Sequence, residues 1–218
     1  MATAPDPGTA GRRHAAVAGH LGQESAARVA LSDVAAPVRA AALGALARLG
    51  QLRPEELQRA LSDPDPVVRR RACDVAPKAP EAQPLGLLVE LLSDNSVLVV
   101  EAACWALGEL GGAGLGDAGP QTRPREVVLG VVVRALCHTA TSHADPLCRE
   151  AAVAALGSLG HPSALAAVLS ALSDKPAVRW RAVIALAAFE GPEVEAALSR
   201  ATRDPDWQVR QAAEDLLG

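Results

Sequence analysis

Aromatic residues are scarce in this chain: its 218 positions hold three Trp, one Phe and no Tyr. A core built from large rings is therefore excluded, and packing has to come from Ala, Leu and Val within the apolar half of the sequence. Small side chains at contacts imply closely packed helices. Ala and Leu lead the helix-propensity order and the β-branched share is modest, so the composition reads as nearly all helix. Lysine is almost missing, standing only at Lys78 and Lys175, so positive charge rests on Arg. A net charge of −4 gives no general attraction to nucleic acid or to an anionic membrane, and leaves only a local basic face for such a role. The four cysteines, Cys73, Cys104, Cys137 and Cys148, are too few and too scattered for a disulfide framework. No run of about eighteen apolar residues occurs, and the opening MATAPDPGTAGRR has no apolar stretch that could act as a signal core. These absences predict a cytoplasmic protein with no membrane segment, large enough to fold around its own core.

What the chain does contain is a repeat. Taking Arg69 in LSDPDPVVRRRACDVA as an anchor, the same motif returns at Arg39 (SDVAAPVRAAALGAL), Val100 (SDNSVLVVEAACWAL), Arg149 (SHADPLCREAAVAAL), Arg179 (SDKPAVRWRAVIAL) and Arg210 (RDPDWQVRQAAEDLL). The anchors are 30 or 31 residues apart except for one step of 49, between positions 100 and 149. The surplus coincides with GGAGLGDAGPQTRPR, residues 111–125, whose Gly and Pro content marks an inserted loop. In each copy the residue before the anchor and those three, six, seven and ten after it are apolar, as in Cys148, Ala152, Ala155, Leu156 and Leu159, which is one helical face. Asp65, Ser96, Asp145 and Asp206, four residues before their anchors, are N-cap types. Pro66, Pro146 and Pro176 follow as first helical residues, and Gly160 and Gly111 read as helix stops. A shorter helical run precedes each of these helices, as in PEELQRALSD, LGLLVELLSD and SALAAVLSALSD. Two helices per 30 or so residues cannot bury their apolar faces alone, so the copies must stack as an α-solenoid.

The series of Asp, Val-Arg, spaced Ala and Ala-Leu-Gly-x-Leu-Gly resembles the short bacterial HEAT repeat, the type known from phycobilisome lyase subunits, from about Asp33 to Gly218. The resemblance implies an all-α, right-handed α-solenoid of about six HEAT-like helix pairs. It divides the chain into an N-terminal tail (1–13), a capping helix and repeats one to three (14–110), the inserted loop (111–125) and repeats four to six (126–218), in one continuous solenoid. It also implies a ladder between adjacent repeats, falling here on Asp33, Asp63, Asp94, Asp174 and Asp204 with Arg39, Arg69, Arg149, Arg179 and Arg210. Val100 replaces the arginine in the third copy and His143 replaces the acid in the fourth, so the ladder is weakest beside the inserted loop, where a hinge is expected. The fifth copy is one residue shorter between Asp174 and Arg179.

In HEAT proteins the second helix of each pair lines the concave side, which the resemblance makes the default binding surface. Positions off the apolar face of those helices are Arg70, Arg71, Asp74, Glu101, Trp105, Glu109, Glu150, Trp180, Arg181 and Ile184. Trp and Arg are the residue types that dominate interface hot spots, so Trp105 and Trp180 are candidate anchors, against the alternative that they fill space between neighbouring helices. Trp207, at a helix start, reads as terminal packing. Cys137, His138, His143 and Cys148 form the one cluster of metal-binding residue types, but the spacing matches no common zinc pattern and Cys148 falls on a core position. Gly114, Gly116 and Gly119 spell G-x-G-x-x-G without the preceding strand that a dinucleotide site needs.

The expected function is a non-catalytic protein-binding scaffold or adaptor, monomeric on its own, needing no cofactor and not built for nucleic acid. The alternative is a HEAT-like enzyme or enzyme subunit. Deoxyhypusine hydroxylases carry His-Glu pairs, and no His-Glu dipeptide occurs here. A bilin-lyase-like accessory shares the repeat, but the repeat alone carries no lyase activity. HEAT-like alkylpurine DNA glycosylases use Trp, an acid and Arg, to which Trp105, Glu109, Arg149 and Trp180 superficially correspond.

Overall fold

A computed structural model describes residues 7–79, 84–112 and 125–218, and every regular element among them is a helix. The chain divides into two compact units, Met1–Leu88 and Val89–Gly218. The all-α architecture of helix pairs read from the repeat is the one that forms.

In the first unit, α1 (Pro7–His20) precedes two pairs: α2 (Glu24–Ala30) with α3 (Ala36–Arg48), and α4 (Pro54–Leu61) with α5 (Pro66–Val75). The second helices pack side by side, α1 on α3 and α3 on α5. The helix α6 (Leu85–Glu90) runs into a 3-10 turn, Leu91–Ser93. The second unit continues with α7 (Val97–Gly112) and then three pairs. These are α8 (Arg125–Ser142) with α9 (Pro146–Leu159), α10 (Leu165–Ala171) with α11 (Pro176–Leu186), and α12 (Pro192–Ala201) with α13 (Trp207–Leu217). Here α7 packs on α9, α9 on α11 and α11 on α13.

The burial pattern follows the repeat. The residues three after each anchor, Ala42, Ala72, Ala103, Ala152, Ala182 and Ala213, are all fully buried, and so are Leu46, Leu107, Leu156 and Leu186 seven after theirs. Helix starts are set by side chains: Asp65, Asp145 and Asp206 each accept the backbone N–H two residues on, at 2.8–2.9 Å. Pro66, Pro146 and Pro176 open their helices, where a missing N–H is harmless. The shorter fifth copy has Lys175 at the cap position, with no side-chain cap.

The small residues do more than fill space. A Cβ at Gly157 of α9 would stand 2.9 Å from Ala185 Cα on α11, and one at Gly108 of α7 would stand 3.1 Å from Ala155 Cα on α9. In these two copies the glycine of Ala-Leu-Gly sits where two second helices meet backbone to backbone.

Two readings of the sequence are corrected. Residues 7–13, assigned to the tail, are helical, because α1 begins at Pro7 and buries Ala15 and Ala18 further along. Gly111 does not stop its helix: α7 continues to Gly112, and Gly111 packs under Leu159, which reaches into the space a side chain would take. Gly160, by contrast, ends α9 in the left-handed conformation at φ 57°. The expected hinge falls on 113–124, outside the described residues.

Candidate functional site

The turns between paired helices carry the arginines and acids of the repeat. Arg39 donates from Nε and Nη2 to the two carboxylate oxygens of Asp63 at 2.9 and 2.7 Å, and from Nη1 to the carbonyls of Asp33 and Val34. Arg149 binds Asp174 in the same way at 2.6 and 2.7 Å, and Arg179 binds Asp204 at 2.8 and 2.7 Å. Arg69 and Arg210 likewise clamp the carbonyls of Asp63 and Pro64 and of Asp204 and Pro205. Each arginine therefore closes its own turn, and Arg39, Arg149 and Arg179 also grip the acid of the following turn. Asp33 and Asp94 accept the backbone N–H two residues on, as Asp63 and Asp204 also do. His143 takes over that duty in the fourth copy, its Nδ1 accepting from Asp145 N at 3.1 Å. Val100 is fully buried, so the third copy spends its anchor position on the core.

The electrostatics of these turns follow from the pairing. The hydrogen bond from Arg149 holds Asp174 below the ordinary carboxylate range against the upward push of burial, and Arg179 does so for Asp204. At Asp63 burial is the largest single influence and pushes the pKa up, but the bonds from Arg39 and the Asp65 amide, with the charges of Arg39 and Arg69, together hold it below the ordinary carboxylate value. A second ion pair between turns, not foreseen from the repeat, joins Arg28 of α2 to Glu24 and to the buried Glu56 of α4. Glu56 also accepts the backbone N–H of Arg53 at 3.0 Å, satisfying a donor at the start of α4.

The outward strip of each second helix carries the candidate binding residues. In the second unit a groove of about 230 Å³ lies along α7, α9 and α11, and Glu101, Trp105, Glu109, Glu150 and Arg181 all line it. Arg181 donates to Glu150 Oε1 at 3.1 Å and lies over the ring of Trp180 at 4.9 Å from its centroid. A neighbouring groove of about 390 Å³, between α11 and α13, is lined by Trp180, Ile184, Trp207 and Leu216. Trp207 is 66% exposed, which corrects the reading of it as terminal packing: at the start of α13 it lines the open groove facing α11 and is not buried by it. Arg70, Arg71 and Asp74 stand on the corresponding strip of α5 in the first unit. The sequence reading missed the position two before the anchor, where Val67 and Leu147 line grooves and Leu98 is half exposed. An aliphatic residue recurring there, outside the core periodicity, was the available signal.

The other candidates do not assemble a site. Arg149, fastened to Asp174, does not line the groove that holds Trp105 and Glu109. No group of three or more His, Cys, Asp or Glu side chains among the described residues is arranged to hold a metal ion. Cys148 is buried and its Sγ lies 3.6 Å from Val97 O; burial pushes its thiol up to about 11. Cys137 is half-buried and raised by burial, and His138 is exposed.

Helix pairs, laddered turns and exposed strips on the second helices define an α-helical repeat protein. HEAT repeats match residues 54–118 and 133–218, more than half of the sequence, and the chain belongs to the HEAT-repeat family. Solved structures of like fold include the Escherichia coli protein YibA, 15% identical, with TM-score 0.66 over the whole of this chain and 76% of that one. An engineered protein is 17% identical, with TM-score 0.61 over 89% of this chain and 95% of its own. A designed armadillo repeat protein in complex with a (KR)4 peptide is 19% identical, with TM-score 0.59 over 97% and 98%. No curated protein matches the chain. No described helix is long and apolar enough to cross a membrane.

Proposed function

We propose that this protein is a non-catalytic scaffold or adaptor that binds a protein segment on the outward strips of its second helices. The observation that carries the reading is the position of the tryptophans. In a chain with three Trp and one Phe, all three Trp stand on this one face, Trp105 being 44% exposed and Trp207 66%. Leaving large apolar rings in water costs solubility and gains nothing for the fold, whereas Trp beside Arg is the combination that dominates protein interfaces. Trp105 and Trp180 serve as apolar anchors, and Glu101, Glu109, Glu150 and Arg181, which line the same strips of the second unit, set the charge register of the bound segment. Ile184 extends the apolar contact beside Trp180. The designed armadillo repeat protein of like fold holds a peptide, which is in keeping with this use of stacked helices.

Four scattered cysteines with no disulfide-framework spacing suit a reducing, cytoplasmic setting. The glycosylase alternative matched Arg149 to Trp105 and Glu109, but Arg149 is fastened to Asp174, and the arginine that shares their groove, Arg181, is paired with Glu150, which argues against it. The test is affinity capture from an extract of the source cells with the wild-type protein and with Trp105→Ala/Trp180→Ala, both verified as folded. A protein retained by the first and lost by the second supports the reading. Identical captures, or base release from alkylated DNA that Glu109→Gln abolishes, would count against it.

A further inference from the structure

The first unit carries a groove of different chemistry. About 570 Å³ in volume, it is lined by Arg12 and Arg13 of α1, Arg48 of α3, and Arg70 and Arg71 of α5, with Asp74 as its one carboxylate. We propose that this groove docks an extended acidic peptide segment. The proposal rests on reading the second-helix strips as recognition surfaces, but on residues of the other unit from the tryptophans.

Five guanidinium groups around one cavity are a local concentration of positive charge in a chain whose net charge is −4. Little among the described residues neutralises them. Arg71 reaches Asp74 only at 3.8 Å, between side chains 40% and 38% exposed, a pair of the kind worth almost nothing in water. Among the described residues no ion pair involves Arg12, Arg13, Arg48 or Arg70.

Two of the five are seated in advance. A Cβ at Gly44 would stand 2.7 Å from Arg71 Nη2, and one at Gly19 would stand 2.8 Å from Arg48 Nη2. The glycines thus let each guanidinium lie against the neighbouring helix, and Arg48 also donates to Ala16 O at 3.4 Å. Arginines held in this way lose less freedom on binding than free side chains do. Between them Ala40, Ala41 and Val67 give an apolar floor against which a peptide backbone can lie.

The arrangement selects the ligand. Guanidinium forks match carboxylates two bonds at a time. The arginines come from three successive helices, which pack about 8–10 Å apart, while an extended chain rises about 3.3 Å per residue. A peptide crossing the helices therefore meets a fresh helix at every third residue, so acids at that spacing fit. A nucleic acid would need a longer basic track, and the acidic remainder of the chain opposes it.

The experiment is fluorescence anisotropy of a labelled peptide with glutamate at every third position, titrated with the full chain. Arg12→Glu/Arg13→Glu and, separately, Arg70→Glu are compared with wild type after melting curves confirm their folding. Binding by wild type that weakens about tenfold in either variant, fades as salt is raised, and is unchanged in Trp105→Ala/Trp180→Ala is the expected result. No binding, equal binding by the Arg variants, or tighter binding of the matching lysine peptide, a phosphopeptide or a single-stranded oligonucleotide would overturn it. Loss in the Trp variant alone overturns this inference while leaving the tryptophan face standing.

Discussion

Arg149 and Asp174, 25 residues apart, meet through two parallel hydrogen bonds of 2.6 and 2.7 Å, while the third guanidinium nitrogen of Arg149 holds the carbonyls of His143 and Ala144. One side chain thus shapes the turn of its own repeat and fastens the turn of the next. Both side chains are largely shielded, at 14% and 17% exposure, so water competes poorly for these bonds. Arg179 with Asp204 and Arg39 with Asp63 repeat the arrangement.

Removing Arg179 strands the carboxylate of Asp204 and the carbonyl of Asp174. Arg179→Met is expected to lower the free energy of unfolding by about 2–3 kcal/mol. The exposed Arg200→Ala should change it by less than about 0.5 kcal/mol. Urea denaturation of both variants measures the difference, and equal effects would mean that the turns contribute no stability through this pair.

The same pairs set the response to acid. Because Asp63, Asp174 and Asp204 have folded pKa values below their unfolded ones, the stability they contribute is present above the ordinary carboxylate pKa and lost as pH falls through the folded values. Unfolding free energy should therefore hold nearly level from neutral pH down to about 5 and drop below about 4. In the Arg179→Met variant the slope of that drop should be shallower, since Asp204 then titrates closer to its unfolded value.

Two glycine substitutions should act in opposite directions. At Gly157 a methyl group would stand 2.9 Å from backbone on the next helix, so Gly157→Ala is expected to destabilise by about 1–3 kcal/mol. At Gly130, inside α8, nothing lies within 4 Å of the added carbon, and Gly130→Ala should stabilise by about 0.5–1 kcal/mol through helix propensity. Paired thermal melts decide the matter.

Thiol chemistry provides an independent check on packing. Cys73, Cys104 and Cys148 are buried and Cys148 is pushed up to about 11, whereas Cys137 is only half-buried. With a disulfide reagent at neutral pH the native protein should react slowly and at Cys137 first, the other three following only on unfolding. Fast native labelling of Cys148 would contradict the described core.

Much of this was legible before the coordinates. The alanine three after each anchor, the Asp caps and the proline starts are local signals with local causes, so the repeat and its helix ends could be read residue by residue. What escaped was set by neighbours distant in sequence. Gly111 looks like a stop in isolation, but Leu159 of α9 occupies the space beside it and α7 continues. Nothing near Trp207 in sequence tells that α13 leaves it uncovered. Val100 and His143 looked like breaks in the ladder, yet one enters the core and the other accepts the same amide as an aspartate would. The outward positions of the second helices were readable from the apolar period. The grooves they line depend on which helices stack, and no single repeat encodes that.

The claim that the tryptophan strips are the binding face is tested most directly by their own emission, which dominates in a chain without tyrosine. A protein recovered by affinity capture is titrated into the wild type while iodide quenching of tryptophan is followed. The account predicts a blue shift and loss of quenching, with both effects removed along with binding in Trp105→Ala/Trp180→Ala. Saturable binding that leaves emission and quenching unchanged would place the partner elsewhere and contradict it.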